Sequence, residues 1–549
     1  MKKLVKTIFL LLVLALISGT ALAGCSNAGE DASSQVGSAD ENTSSAASTQ
    51  TEAVEETVDL SIIMSDSGVT MPSGFDPNDN PYINIVKKYA NVNLKVEMPP
   101  YADFQTRLQL VLASGNRPDI VHTTGTWAGT PTYNAAQEGA FIDLRSYYDN
   151  SPVVQKYITG EMMAYAAKGF DKSFYIPGSN VTTPKGRGSL ARYDLLVKYN
   201  NGVWPGSTDE WIAFAREVKK NIPEALIFTG RTSGSTLFGF GSDAFFAWQG
   251  VAPVTGYQVR DQKIVNIFTL PEYRDAVQLY GNLFKEGLLD QEFSSSDPAR
   301  YNKAVTTQNV ILAANTPDQY APAAPGGIEW VFAPDLKTYP ASLKDKKYTY
   351  GFSGGDVTGH GMYISTSCKN PDRAWKVIEG FFSDELFEEI NWGKEGEEYV
   401  INNEGKRIVD STKLNSAERR PGIAYACMMG FSSGLEAKKA VQLQISGTDV
   451  FNRYYDSVKT ISDHAGEVGV QLWSGYTPID DVQKKRGDAD AFMSEATAKA
   501  IMGQITMEEF DKRVQEWKEK YGFICDAVTQ QLMGNKDKIR EMGVKCIDW

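Results

Sequence analysis

Phe104, Leu108, Val111 and Leu112 fall at i, i+4, i+7 and i+8, the apolar stripe of an amphipathic helix. Gly115 and Asn116 follow as stop signals, and Pro118 bars resumption. Ile120–Val121 then reads as a short buried strand running into Thr123, Thr124, Gly125 and Trp127. The same alternation continues along the chain. Val58–Met64, Val92–Val96, Phe174–Pro177, Leu190–Leu196, Ala225–Phe228 and Val310–Ala313 are β-rich runs. Helical periodicity marks Tyr82–Tyr89, a stretch opening at Ser207 or Thr208, Pro271–Glu286, Pro371–Phe382 and Thr506–Tyr521. Strands alternating with helices predict an α/β class. In open α/β sheets ligands bind beyond the carboxyl ends of strands, so residues just past these runs are candidate contacts. The Gly/Thr/Pro loop between Phe174–Pro177 and Leu190–Leu196 is a candidate crossing between two lobes.

The N-terminus follows a different pattern. Lys2, Lys3 and Lys6 form a positive segment, and the apolar run Ile8–Ile17 is too short to span a bilayer. Leu22-Ala23-Gly24-Cys25 resembles a bacterial lipobox. The resemblance implies a signal peptide over 1–24, diacylglyceryl attachment at Cys25, and a mature chain that begins there. Ser26–Thr57 is rich in Ser, Ala, Glu, Asp and Thr, with no Lys or Arg. It cannot bury enough surface to offset its ordering entropy and reads as a disordered tether, with a reach of about 30 Å.

Composition narrows the class. Hydrophobic residues are 42% and charged residues 22% of the chain, ordinary globular values. Losing the three signal-peptide lysines moves the formal charge from −13 to −16. That balance argues against nucleic acid and against anionic lipid as partners, leaving the lipid anchor as the only membrane attachment. Cys368, Cys427, Cys525 and Cys546 have no CxxC spacing and make no metal site. Cys525 and Cys546 are readable as a disulfide or as separate thiols. Asp76, Asn78 and Asn80 have calcium-loop spacing, but Pro81 stands where the turn glycine is needed and no Glu closes the loop.

Phe104–Val121 (FQTRLQLVLASGNRPDIV) resembles the most recognisable stretch of family 1 extracellular solute-binding proteins, the lipoprotein branch that serves ABC importers. The resemblance continues through Pro271–Phe293, Ile364–Phe382, Ile390–Asn402 and Ile501–Glu516. It implies a two-lobed, periplasmic-binding-protein-like type II fold with an inter-lobe cleft and crossing hinge strands. The expected division is 58–188 plus about 300–355 for the first lobe and 189–299 plus about 356–549 for the second. The implied function is a lipid-anchored monomer on the extracytoplasmic face of the cell membrane. It would capture an oligosaccharide or related glycan by lobe closure and deliver it to ABC permease subunits. Two departures stand out. Where relatives carry an Asp/Asn/Gly-rich calcium loop, this chain has Arg216–Leu226 (REVKKNIPEAL), so no cofactor or structural calcium is expected. The family's Arg-Lys-Asp-Trp-Leu entry to the second lobe is altered to Ala191-Arg192-Tyr193-Asp194-Leu195.

A sugar needs flat aromatics for its C–H faces and fixed polar groups for its hydroxyls. Trp127, Trp248 and Trp330 are the candidate platforms. Asp356, Arg192, Thr124 and Asn315 are the candidate hydroxyl ligands. No catalytic residue is assigned. Gly430-Phe431-Ser432-Ser433-Gly434 matches G-x-S-x-G, with His464 downstream, but lacks the hydrolase sheet around it. His122, His360 and His464 are far apart in sequence and form no HExxH, which disfavours a zinc hydrolase. A lipid-anchored glycoside hydrolase, needing only two placed carboxylates, and a surface glycan sensor or adhesin are the alternatives.

Overall fold

The computed structural model describes residues 56–124, 131–167, 172–178, 188–233, 236–241, 244–251, 256–296, 298–307, 309–315, 323–324, 327–341, 343, 360–429, 435–462 and 479–537. In chain order the strands of its two large sheets are Val58–Ile63 (β1), Val92–Glu97 (β2), Ile120–Thr124 (β3), Tyr175–Gly178 (β4), Gly188–Arg192 (β5), Leu226–Phe228 (β6), Val310–Asn315 (β7), Ala323–Ala324 (β8), Ile328–Phe332 (β9) and His360–Ile364 (β10). The helices that matter below are Pro81–Ala90 (α1), Tyr101–Ala113 (α2), Tyr193–Asn200 (α3), Thr208–Asn221 (α4), Pro271–Lys285 (α5), Pro298–Thr307 (α6), Pro371–Phe381 (α7), Asp384–Trp392 (α8), Pro421–Met429 (α9), Leu435–Ser446 (α10), Thr448–Ser462 (α11), Asp480–Ile501 (α12) and Met507–Gly534 (α13).

The first sheet has the order β2-β1-β3-β10-β4. β1 runs parallel to β2 and β3, while β10 is antiparallel to both β3 and β4. Both faces are buried. Ile62, Ile120, Ile176, Met362 and Ile364 join one core, whereas Ile63, Val121, Tyr175 and Tyr363 join the other. Their period-two alternation explains why these strands read as continuous apolar runs. The second sheet has the order β8-β9-β5-β7-β6. In it β7 is parallel to β6 and antiparallel to β5.

The chain passes from the first sheet to the second between β4 and β5, and returns between β9 and β10. It crosses again through the helices: α9 packs on β10 and β4, α10 on α8, and α11 on β9. α12 and α13 then close the core of the second lobe with Val482, Ala489, Phe510, Trp517 and Ile524. The expected lobe division is corrected accordingly. β7 and β9, within 300–355, belong to the second sheet, and β10, α7 and α8 belong to the first lobe. Strand pattern identifies a strand but not its sheet, which is decided by which neighbours supply its hydrogen bonds.

Local signals account for several element ends. In α2, Phe104, Leu108 and Val111 are buried as the stripe requires. Ser207 caps α4 by accepting from Glu210 N at 3.2 Å. Thr506 and Glu509 form a reciprocal capping box at the start of α13, which continues to Gly534. The run Leu190–Leu196 is not one strand: β5 stops at Arg192, and Leu195, Leu196 and Tyr199 take helical spacing in α3 against the second core. Cys368, Cys427 and Cys525 are free thiols, and burial pushes the Cys525 thiol up to about 12; Cys546 lies outside the described residues. No helix among the described residues is long and apolar enough to cross a membrane.

Candidate functional site

In the first sheet β3 and β4 end side by side, at Thr124 and Gly178, and His360 opens β10 between them. One layer deeper on the same face sits His122, opposite Met362. His360 Nδ1 lies 3.3 Å from His122 Nε2. The ring planes differ by 9° and the centroids are 5.4 Å apart. The centroids are thus much farther apart than the facing nitrogens, so the imidazoles meet edge to edge, not face to face. His122 is wholly buried and its Nδ1 has no hydrogen-bond partner. Burial holds both imidazoles down, His360 to about 4 and His122 well below the ordinary value, where neighbouring His360 adds to the effect. Both are neutral at pH 7. Space for the pair is kept by Gly178: a Cβ there would fall 2.9 Å from His360 Cβ and 3.4 Å from the Cys427 carbonyl oxygen.

In the second sheet β6 ends at Phe228 and β7 at Asn315, which pairs with Gly188, the first residue of β5. This is the edge where the chain enters from the first lobe. Just past β6, buried Thr229 donates through Oγ1 to Asp290 Oδ2 at 2.9 Å. Arg300, in the first turn of α6, grips both Asp290 oxygens at 2.8 and 2.9 Å and reaches Glu292 through Nε at 3.2 Å. Asp290 is buried, and this bidentate fork is what makes its charge tolerable there. Gly241, at φ +97°, admits no side chain, because a Cβ would collide with the Tyr301 ring and the Thr229 carbonyl.

Each sheet therefore presents a finished polar cluster at an edge where the chain crosses. Sequence reasoning missed both. The three histidines were read as far apart, yet the β3–β10 pairing brings His122 and His360 into contact across 238 residues. Thr229 was within reach, since it directly follows a recognised strand.

The sequence-predicted contacts divide three ways. Thr124 and Asn315 close β3 and β7 at the two edges, as the strand-end rule requires. Trp127, Asp356 and Cys25 lie outside the described residues, as do Gly430–Gly434 and His464. Trp248, Trp330 and Arg192 are corrected. Trp248 is a core residue, stacked on Trp211 at 5.8 Å and packed with Phe245. Trp330 is 1% exposed. It pairs with Arg192 at the far end of β5, four residues and about 13 Å from the crossing edge. Arg192 is buried there, with its guanidinium over the Trp330 ring at 5.9 Å and forked onto Asp194 at 2.8 and 2.7 Å. Its fork is engaged by Asp194 in the first turn of α3.

Among the described residues no three His, Cys, Asp or Glu side chains are placed to hold a metal ion. In the Asp76–Asn80 loop the polar atoms are spent on the turn: Asp76 Oδ1 accepts from Asn78 N at 2.8 Å, and Asn80 caps α1 through Ile83 N at 3.0 Å. At Arg216–Leu226 the Lys219 ammonium donates to the carbonyls of Pro223, Ala225 and Gly287 at 2.9, 3.0 and 3.0 Å.

A family model described as bacterial extracellular solute-binding protein matches residues 77–386. The chain is 22% identical over 469 residues to lipoprotein LipO of Bacillus subtilis (strain 168), covering 81% of this chain and 87% of that protein. Its fold is similar to that of an EF-hand mutant of the S. pneumoniae ABC-transporter substrate-binding protein FusA in complex with fructo-nystose. That match has 15% identity and a TM-score of 0.64, over 87% of this chain and 100% of that one. It is also similar to an HMO-binding, ABC-transporter-associated solute-binding protein from Bifidobacterium longum infantis ATCC 15697. Here identity is 14% and the TM-score 0.60, over 89% of this chain and 100% of that one.

Proposed function

The chain belongs to the bacterial extracellular solute-binding proteins, and from that premise we propose that it is anchored through a lipid on Cys25 and captures an oligosaccharide for an ABC importer. The observation that carries this reading is the pair of strand-end edges, one on each sheet, at which the chain crosses between lobes. Support for the cargo class comes from the structural neighbours, whose complexes hold fructo-nystose, kestose and Man5GlcNAc.

The mechanism is closure. A solute touching both edges stabilises the closed arrangement by the contacts it makes only there. Moving a lobe equilibrium from mostly open to mostly closed takes about 5.5 kcal/mol of differential affinity. Net hydrogen bonds of about 1 kcal/mol each mean that a handful of sugar hydroxyls is enough. An oligosaccharide supplies that many; a single small ion does not. Nothing in this mechanism alters the solute covalently, and the monomer acts alone until the permease reads its closed form.

The test combines melting and product analysis. Kestose, fructo-nystose and Man5GlcNAc are added to the protein while melting temperature and sugar composition are followed. Saturable stabilisation with the sugar unchanged supports capture. Turnover of the sugar would replace it with hydrolysis, and no response to any oligosaccharide would remove glycans as cargo. In cells, Cys25→Ser should release the protein from the membrane fraction; retention would refute the anchor.

A further inference from the structure

The last passage between the lobes is a single residue long. α10 ends at Ser446 and α11 begins at Thr448, so Gly447 alone joins them. Its N–H donates to the Leu443 carbonyl at 3.0 Å, closing α10, and its own carbonyl accepts from Phe451 N at 3.0 Å, opening α11. The backbone is left-handed there, with φ +77°, and a Cβ would meet nothing within 4 Å. Space therefore does not call for a glycine at this position; the torsion does.

The helices on either side are held by different lobes. α10 packs on α8, whose Leu386 lies in the first-lobe core. Three residues before the joint, Gln444 accepts from Val409 N at 3.0 Å and donates to the Arg407 carbonyl at 2.9 Å. Both partners belong to the hairpin of Tyr399–Ile401 and Arg407–Val409. Arg407 in turn lies 4.9 Å over the ring of Trp392, the last residue of α8, and pairs with Glu388. α11 is held by β9 instead. Arg453 Nε donates to Glu329 Oε1 at 2.6 Å, and Ser457 Oγ accepts from Phe332 N at 3.0 Å. Tyr454 and Val458 enter the core that contains Leu190, Trp330 and Phe332. Among the described residues no α10 side chain joins that core. Between the two helices, Lys439 Nζ lies 5.6 Å from the Tyr455 ring. Each of these residues is about 12 Å along its helix from the joint, and a long lysine follows a change of angle that interlocked core side chains would resist.

We propose that Gly447 is a hinge of lobe closure: α10 travels with the first lobe, α11 with the second, and the torsions of this one residue absorb the rotation between them. This rests on the capture reading given above, which requires the lobes to move. An L side chain at Gly447 penalises the left-handed backbone, so it also biases the lobe angle that the sugar-free protein prefers.

The test brackets the joint with spin labels at exposed sites: Gln105 on α2, Ala213 on α4, Leu443 on α10 and Asn452 on α11. Unnatural amino acids carry the labels, because Cys368, Cys427 and Cys525 are free thiols. With kestose, fructo-nystose or Man5GlcNAc, the distance from Gln105 to Ala213 should change as the lobes close. The Gln105–Leu443 and Ala213–Asn452 distances should hold, while Gln105–Asn452 and Ala213–Leu443 change with the lobes. An Ala213–Leu443 distance that holds instead would mean that α10 moves with the second lobe, which overturns the hinge. If no sugar moves Gln105 relative to Ala213, capture by closure falls, and the sugar-free protein still judges the joint. There the Gln105–Asn452 distribution should be broader than Gln105–Leu443, and equal widths overturn the hinge. Gly447→Ala should shift the sugar-free Gln105–Ala213 distribution. Gly405→Ala, at φ +74° in the hairpin turn with nothing near its Cβ, imposes similar strain away from the joint and should not. Matching distributions for the two variants overturn the hinge.

Discussion

Lys219 Nζ lies 3.0 Å from the carbonyl oxygen of Gly287, joining the end of α4 to the turn that follows α5. The same ammonium takes the carbonyls of Pro223 and Ala225, so all three of its protons have acceptors. A cation at this turn is thus provided by the chain itself. Lys219→Met should lower unfolding stability by about 2 kcal/mol in urea titrations. Arg should not rescue it, because a planar fork cannot meet three converging carbonyls. EDTA and added calcium should both leave the wild-type melting temperature unchanged. A calcium-dependent rise would show that a metal site exists as well.

Trp248→Ala should cost about 3–5 kcal/mol, the scale for truncating a buried aromatic. Trp248→Phe should be milder, and neither should change sugar affinity in protein that remains folded. The reason lies in Ala244–Trp248, a helical turn in which every side chain is buried. A sugar-dependent loss of Trp248 fluorescence would contradict this placement.

That residue also marks how far the sequence could be read. Helix stripes were legible at α2, α5 and α7, and the Ser207 cap at α4, because they depend on neighbours within a few positions. Strands were legible as apolar runs, since both faces of each sheet are covered. Lobe membership was not, because β10 joins the first sheet only through partners at 120–124 and 175–178. Aromatics past strand ends look alike whether they line a groove or fill a core, and only the packing of Trp211 and Phe245 on Trp248 distinguishes the two. The histidine pair was hidden for the same reason as the lobe boundary.

Asp290 and Arg300 should behave as one unit. Arg300→Met leaves a buried carboxylate without its fork and should cost about 2 kcal/mol, discounted for the partial exposure of the arginine. Asp290→Asn should cost less, because Thr229 can still donate to the amide oxygen. A double-mutant cycle in urea should return a coupling of about 1 kcal/mol or more. Additive losses would mean that the fork contributes nothing.

Asp490 should make the protein more stable in mild acid than this carboxylate allows at neutral pH. Burial pushes its pKa from 3.8 up to about 6, with Arg486, 3.6 Å away, opposing the shift. The native state therefore holds this proton more tightly than the unfolded chain does. Its contribution is fully present below pH 3.8 and is lost as pH rises through about 6. Asp490→Asn mimics the protonated form. It should raise stability by about 3 kcal/mol at pH 8 and change little at pH 4. Equal effects at both values would refute the shift.

Gly178→Ala should disturb the histidine pair through a single methyl group. The new Cβ would stand 2.9 Å from His360 Cβ and 3.4 Å from the Cys427 carbonyl, and neither is the tip of a flexible chain. Relief requires His360 to swing outward, at an overpacking cost of about 1–3 kcal/mol. The pH dependence separates this from a general loss of stability. In the wild type, burial holds His360 down to about 4 against an ordinary 6.5. The unfolded chain takes up protons that the native pair refuses, so stability is flat above pH 6.5 and falls as pH drops toward 4. For His360 alone the fall is about 3 kcal/mol. A His360 swung into solvent would titrate near its ordinary value, so Gly178→Ala should lower stability at pH 7 yet flatten the acid limb between pH 6.5 and 4. Chemical denaturation at pH 7, 6, 5 and 4 reads both effects. A parallel downward offset at all four values would mean that His360 has kept its place.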